Sequence, residues 1–214
     1  MNNEVFAFSL SKNMWSSPLD IYFRNATNGE IAPYKTEVSL SYDELFFNVN
    51  FNCLDNPFVS ENQMTKHNDS LYNQEVFEIF ISAGHEDSKK YLEIEINHNN
   101  ALWIGKISNL SLGAEMQTIE KMISYEEAGI RHQAIPSENS WKGRLSIPWV
   151  LIGKSPSNEY RINFYRIRSR ESSGTKDWVC NEKNCDFLCW SPTMSGISPA
   201  FHRPKKFGKM VLVN

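Results

Sequence analysis

The sequence lacks any long apolar run and any large excess of one charge. No stretch approaches the 18 or more consecutive apolar residues that indicate a membrane-spanning helix. Lys and Arg number 22 against 25 Asp and Glu, which gives a net charge of -3. This balance argues against a protein that binds nucleic acid by neutralising phosphates, and against a polybasic membrane-surface protein. We therefore expect neither nucleic acid nor membrane among its partners.

Signals that divide or export a chain are also absent. There is no internal repeat, heptad pattern or Pro/Gly/Ser-rich linker, so residues 1–214 are predicted to form a single domain. The N-terminus has no basic segment followed by a long apolar segment, which predicts a cytoplasmic location. The oligomeric state stays open.

What the chain does contain is apolar and aromatic side chains in a period of two. Hydrophobic residues make up 41% of the chain and aromatic residues 13%, which excludes wholesale disorder and suits β-strands. Between positions 45 and 53, apolar residues alternate with a mostly Asn face, as a half-buried strand requires. We expect Leu45, Phe47, Val49 and Phe51 to be buried, and Asn48 and Asn50 to lie on the opposite face.

The same alternation recurs along the chain. It predicts strands over residues 36–40, 76–82, 91–97, 101–107, 141–147, 160–168 and 209–213, with a possible opening strand over 6–10. Helix is scarce, with single turns expected at 124–128 and 148–152. The predicted fold class is all-β, an antiparallel two-sheet β-sandwich of jelly-roll type with minor helix.

An ordered set of segments resembles the family 9 carbohydrate-binding modules, a superfamily of DOMON-like β-sandwiches. The matching segments are residues 36–51, the Glu-Val-Phe-Glu-Ile-Phe-Ile strand at 75–81, 91–97, 161–166, Trp190-Ser191-Pro192, Phe201-His202-Arg203-Pro204 and Phe207-Gly208. The resemblance implies a stand-alone domain that binds saccharides without catalysis.

The resemblance also implies where the sugar binds. In the family, two aromatic side chains clamp the sugar and a carboxylate binds its hydroxyl groups; the matching positions here are Tyr72, Trp190 and Glu78. A buried carboxylate needs a cationic partner, and Arg166 is the candidate. The alternative is that Tyr72 and Trp190 are packing residues and that Glu78 and Arg166 form a structural ion pair.

Other groups of residues suggest functions other than sugar binding. Glu93 and Glu95 share a strand face and suit either acid–base work at a glycosidic bond or a solvated outer face. Met64, Met116, Met194 and the histidines are candidate axial ligands for haem, because related sandwich domains bind it. A ligand-free scaffold for protein partners is a further alternative.

Metal sites are not predicted from the spacing. Cys180, Cys185, Cys189 and His202 offer zinc ligands, but their C-x4-C-x3-C pattern lacks the usual Cys-x2-Cys pairs. A Cys180–Cys185 disulfide would require an oxidising compartment. We expect no cofactor, although family members can hold structural calcium.

The residues that could serve such a calcium site lie in loops. They are Asp43, Asp55 and Asp69.

Overall fold

The computed structural model describes residues 5–172 and 178–213, and β-strands dominate both ranges. The strands are β1 (Ala7–Ser11), β2 (Tyr22–Asn25), β3 (Ile31–Tyr42), β4 (Phe46–Cys53), β5 (Val76–Ala83), β6 (Lys90–Ile96), β7 (Leu102–Asn109), β8 (Gln117–Met122), β9 (Arg131–Pro136), β10 (Trp141–Pro148), β11 (Glu159–Ser169), β12 (Cys185–Cys189) and β13 (Gly208–Val213). The α-helices in these ranges are α1 (Tyr125–Ala128) and α2 (Trp149–Ile152). At four residues each, they are far too short to span a lipid bilayer.

The strands form two layers that share one long strand. The larger layer runs β8-β7-β6-β5-β11-β12-β2-β3, and the smaller layer runs β3-β4-β10-β9. The first part of β3 pairs with β2 and its second part, from Thr36 to Tyr42, pairs with β4. All these pairings are antiparallel, while β1 lies parallel to β13, which itself pairs with the start of β11. The predicted antiparallel sandwich with minor helix is confirmed.

The core between the layers follows the predicted alternation. Phe77, Ile79 and Ile81 of β5 face the smaller layer, and the Phe51 ring of β4 stacks on Phe77 with centroids 4.1 Å apart. Phe47 and Val49 are fully buried, whereas Asn50 is exposed. A slip of one residue would invert these faces, so the pattern fixes the register of this hairpin.

Leu45 is the one exception among the apolar residues predicted to be buried here. It is 67% exposed, so its predicted burial is wrong. The Asp43 side chain accepts hydrogen bonds from the backbone N–H groups of Leu45 and Phe46, both at 2.8 Å. These bonds hold residues 43–45 in a turn, and the strand begins only at Phe46.

Four strands have no counterpart in the sequence prediction: β2, β8, β9 and β12. β8 and β9 lie at the outer edges of the two layers, and every residue of β8 is exposed. An edge strand without a buried face has no apolar alternation to reveal it.

Candidate functional site

The outer face of the larger layer is not a solvent face. Side chains from four of its central strands form a second apolar cluster there, separate from the core between the layers. Phe80, Tyr91, Trp103 and Tyr165 project outward from β5, β6, β7 and β11. Segments outside the strands, including Leu71, Phe201 and Phe207, cover them.

This covering leaves a cavity of about 520 Å³ open on one side. That volume is within the range of small-molecule sites. Its wall carries polar groups from Glu78, Glu93 and His202 and ring surfaces from Tyr72 and Trp103. We call this cavity the outer-face pocket.

The register of the strands sets the layout of the pocket floor. Side chains in hydrogen-bonded register across antiparallel strands lie on one face, so each row across the sheet can be read directly. One row is Tyr165 of β11, Glu78 of β5, Glu95 of β6 and Trp103 of β7. The next row is Asn163, Phe80, Glu93 and Gly105. Three carboxyl groups therefore occupy neighbouring positions on two adjacent strands.

These carboxyl groups are buried, and several of their oxygens have no partner. Glu78, Glu93 and Glu95 are each at most 5% exposed. Among the described residues, no hydrogen-bond donor reaches Oε1 of Glu78 or either carboxyl oxygen of Glu95. An unpaired buried polar atom is costly, and Glu78 lines the pocket, so its free Oε1 atom is positioned to bind a ligand.

Burial also changes how these groups titrate. Desolvation raises the pKa of Glu78 to about 8. Desolvation, with a further contribution from the neighbouring Glu78 charge, raises the pKa of both Glu93 and Glu95 well above the usual range of a carboxyl group. Loss of hydration lowers the pKa of His202 to about 4. At neutral pH the pocket therefore holds a neutral imidazole and carboxyl groups that retain protons.

The Trp103 indole fits against the sheet because Gly105 has no side chain. An ideal Cβ on Gly105 would lie 2.5 Å from the indole Cη2 of Trp103, so the ring occupies the space above the glycine. Gly105 pairs with Glu93 across β6 and β7, and the indole edge is thereby brought beside that carboxyl group.

The loop that carries His202 is fixed by bonds to the sheet. The Tyr165 hydroxyl donates to the Phe201 carbonyl at 3.0 Å, and the Asn109 amide donates to the His202 carbonyl at 3.0 Å. The Tyr91 hydroxyl lies 2.7 Å from Nδ1 of His202. These contacts make one wall of the outer-face pocket rigid.

The mouth of the pocket is bordered by Tyr72. It sits in the 3-10 turn Leu71–Asn73, and its side chain is 46% exposed. Leu71 of the same turn is fully buried in the outer cluster, which anchors the turn against the sheet.

Of the four residues predicted to bind sugar, the structure brings Tyr72 and Glu78 together at this pocket. Trp190 is elsewhere, so the predicted Tyr72–Trp190 clamp is wrong. It is 4% exposed and packs edge-on against Phe6, Phe8 and Phe164 in the core. The preceding residue, Cys189, pairs with the outward-facing Tyr165, so the alternation along the chain points Trp190 inward.

Arg166 is also absent from the pocket, and its predicted pairing with Glu78 is wrong. It follows the outward-facing Tyr165 and so points to the inner face, where it is fully buried. Its Nε and Nη2 atoms donate to Oε1 of Glu75 at 3.1 and 2.9 Å, and Trp141 donates to the same oxygen at 3.0 Å. Arg166 thus forms a structural ion pair, with a different glutamate from the one predicted.

The solvated-face interpretation of Glu93 and Glu95 is wrong as well. Both point outward as predicted, but the outer face is covered and they are buried. The sequence does contain a sign that this face is covered, namely the other side chains that alternate onto it. Phe80, Tyr91 and Trp103 share that face, and such rings are too apolar to face water together.

The cysteines do not assemble a zinc site. Cys180 and Cys185 form a disulfide, with Cα atoms 5.7 Å apart. Cys189 is buried, donates to the Arg24 carbonyl at 3.3 Å, and has a pKa raised to about 12 by burial. Cys53 is a buried free thiol in the core, as its place on the apolar face predicts.

The acids proposed for calcium do not meet either. Asp43 and Asp55 lie beyond opposite ends of β4, where their side chains accept backbone N–H groups. In residues 5–172 and 178–213, no group of three or more His, Cys, Asp or Glu side chains is arranged to hold a metal ion. Met116 and Met194, two of the candidate haem ligands, are largely exposed.

Comparison with solved structures assigns the fold. The chain superposes on a candidate carbohydrate-binding protein from Bacteroides uniformis with a TM-score of 0.65 and 18% identity, covering 98% of this chain and 100% of that one. A family 9 carbohydrate-binding module from Caldicellulosiruptor kristjanssonii in complex with glucose matches with a TM-score of 0.54 and 12% identity, over 97% and 96% of the two chains. The chain has the fold of a family 9 carbohydrate-binding module. The resemblance found in the sequence is confirmed at the level of fold.

A third solved structure extends this comparison with family 9 modules. The C. kristjanssonii module in complex with cellotriose matches with a TM-score of 0.52 and 13% identity, over 96% of this chain and 93% of that one. No family model matches the sequence. A protein from Arthroderma benhamiae named an extracellular protein is 28% identical over 148 residues, which is 64% of this chain. The match spans 66% of that relative, just under two thirds of its length.

Proposed function

We propose that the protein binds carbohydrate at the outer-face pocket and has no catalytic activity of its own. The observation that carries the proposal is the joint placement of aromatic rings and unpaired carboxyl oxygens around one cavity. Tyr72 and Trp103 supply ring faces, and Glu78 supplies a buried carboxyl oxygen without a partner.

A pyranose ring is complementary to this arrangement. Its C–H faces stack on aromatic rings, and its hydroxyl groups bond to carboxyl oxygens. Each contact contributes modestly, and binding must offset the lost freedom of the ligand. We therefore expect dissociation constants on the order of micromolar to millimolar.

The structural neighbours support a saccharide as the ligand. The family 9 modules with the same fold are solved in complex with glucose and with cellotriose. At 12 and 13% identity the likeness concerns the fold, so the sugar bound by this chain has to be measured.

A glycan array followed by calorimetry with glucose and cellotriose tests the proposal. We expect Tyr72→Ala to weaken binding about tenfold through loss of stacking. Tyr125→Ala is the matched control, because Tyr125 is similarly exposed, at 40%, and lies outside the pocket. Failure of every saccharide to bind would overturn the proposal.

An assay with chromogenic glycosides distinguishes a hydrolase from a protein that only binds sugar. Chromogenic glycosides should not be turned over if the protein only binds sugar. Turnover that vanished in both Glu93→Gln and Glu95→Gln would contradict the absence of catalysis and assign those carboxyl groups acid–base roles.

The Cys180–Cys185 disulfide supports a proposal about the compartment in which the protein functions. Disulfides persist in oxidising compartments, and Cys180–Cys185 is formed in this structure. The A. benhamiae relative is named an extracellular protein. In place of the expected cytoplasmic location, we propose that the protein functions in an oxidising compartment. Fractionation of the native host, with detection by antibody, tests this.

A further inference from the structure

Two buried carboxyl groups, those of Glu78 and Glu93, line the outer-face pocket, and that of Glu95 lies next to them on the sheet. None of the described residues that line the pocket is a Lys or an Arg. Glu78, Glu93 and Glu95 lie in adjacent register positions on β5 and β6. Among residues 5–172 and 178–213, no Lys or Arg forms an ion pair or hydrogen bond with any of the three. The buried arginines of the described residues form their ion pairs elsewhere: Arg166 with Glu75, Arg161 with Asp87, and Arg168 with Asp186.

Another buried glutamate of this protein, Glu75, does have a cationic partner. Glu75 stands three residues before Glu78 and receives two bonds from Arg166 and one from Trp141. Glu78 is as deeply buried and borders the cavity, but its Oε1 atom accepts no hydrogen bond and no cation among the described residues pairs with it. Oε2 of Glu75 also lacks a partner, so the difference between the two glutamates is the cation that Glu75 has and Glu78 lacks.

A cationic ligand would supply the positive charge and the hydrogen-bond donors that these carboxyl groups lack. An ammonium group donates hydrogen bonds to carboxylates, and such charge-assisted bonds are stronger than those made by a neutral hydroxyl group. Its positive charge also favours ionisation of a desolvated carboxyl group. The Trp103 indole lines the same cavity, and an indole ring attracts a cation.

We propose that the pocket recognises an amino sugar, with the ammonium group held by Glu78 and Glu93 and the pyranose ring packed against the aromatic wall. This proposal rests on the carbohydrate-binding function above and narrows it to one class of saccharide. Binding at neutral pH should release a proton, because a carboxyl group that carries one becomes a carboxylate facing the ammonium group.

Calorimetry with three monosaccharides isolates the amine. Glucosamine, glucose and N-acetylglucosamine share the ring and differ at one substituent, which is an ammonium group, a hydroxyl group or an acetamide. We expect glucosamine to bind about tenfold or more tightly than the other two. Repeating the titration in two buffers with different ionisation enthalpies should show proton release for glucosamine alone.

The outcomes separate this inference from the broader function. Glucose binding as tightly as glucosamine would overturn the amino-sugar preference and leave carbohydrate binding intact. Failure of all saccharides, including cellotriose and the glucosamine trimer, would overturn both. Cyclohexylamine binding as tightly as glucosamine would show an amine site that does not recognise the sugar ring, and would overturn the amino-sugar proposal, while binding of glucose and cellotriose would still decide the broader function.

Variants assign the preference to the carboxyl groups. Glu78→Gln and Glu93→Gln preserve shape and remove charge, so each should reduce the advantage of glucosamine over glucose about tenfold. Glu138→Gln, an exposed position in the turn before β10, is the matched control and should change nothing. If one of the pocket variants fails to fold, the other decides. A preference that survives in a folded pocket variant would overturn the assignment.

Discussion

Glu78 of β5 lies directly opposite Glu95 of β6, and both side chains are buried on the outer face of the same sheet. Two like charges in a cross-strand pair destabilise a sheet, and desolvation adds to that cost. The pair persists because the carboxyl groups retain protons at pH values where an ordinary glutamate has lost its own.

Stability should therefore fall as the pH rises through neutrality. The pKa of Glu78 is raised from 4.5 to about 8, so between these values the unfolded chain releases a proton that the folded chain keeps. Each such carboxyl group lowers the free energy of unfolding by about 1.4 kcal/mol per pH unit in this window. His98 and His202, with pKa values lowered to about 4, act in the opposite direction, but only up to about pH 6.5.

Between pH 6.5 and 8, the pH dependence of the free energy of unfolding should therefore reflect the carboxyl groups and not the histidines. Tyr91 and Tyr165 also face these carboxyl groups, and their raised pKa values keep them neutral throughout this range. Urea unfolding at several pH values measures the slope. Glu95→Gln should flatten it, whereas the exposed Glu138→Gln should leave it unchanged. A free energy of unfolding that rises from pH 6.5 to 8 would contradict the raised pKa values.

Trp190 should behave as a core residue. Trp190→Ala is expected to lower the free energy of unfolding by about 3–5 kcal/mol, because it opens a cavity among Phe6, Phe8 and Phe164. Trp15→Ala, at a position 50% exposed, should cost far less. Saccharide binding by the folded fraction of Trp190→Ala should match that of the unaltered protein. Selective loss of binding with unchanged stability would restore Trp190 to the site.

The Arg166–Glu75 ion pair should be costly to break from one side. Arg166→Met leaves a buried carboxylate without its cation and is expected to lower the free energy of unfolding by about 3–5 kcal/mol. The double variant with Glu75→Gln should recover part of the loss. Arg144→Met, on an exposed face of β10, is the control. Equal effects of the single and double variants would argue against direct coupling.

Thiol chemistry should distinguish the cysteines in three steps. The native protein should resist alkylation, because Cys53 and Cys189 are buried and their pKa values are raised to about 12. In denaturant these two should react, and after reduction all 4 cysteines should react. Mass spectrometry counts the added groups. Four reactive thiols in unreduced, denatured protein would show that the disulfide is absent.

Local alternation predicted most of the fold, since each strand carries its own record of which face is buried. Phe77, Ile79 and Ile81 occupy alternate positions of β5, so the sequence of that strand alone places them together on its buried face. The same reasoning failed for Leu45, because a side chain-to-backbone turn holds residues 43–45 and the strand begins only at Phe46.

The site was harder to predict because it depends on register between distant strands. Glu78 lies opposite Tyr165 on the outer face, whereas Arg166 shares the inner face with Phe164. Alternation within the two strands could have excluded their pairing, but it could not show that Glu75 is the partner of Arg166. The outward aromatic row could have indicated a covered face, but the segments that cover it could not be predicted, because they include Phe201 and Phe207, far along the chain.

The contact between Trp103 and Gly105 means that one backbone position sets the depth of the pocket. A side chain at 105 would start 2.5 Å from the indole and would force Trp103, a residue that lines the cavity, to move. The shape of the pocket in this protein therefore depends on a residue that does not line it. Positions equivalent to 103 and 105 are accordingly expected to vary as a pair.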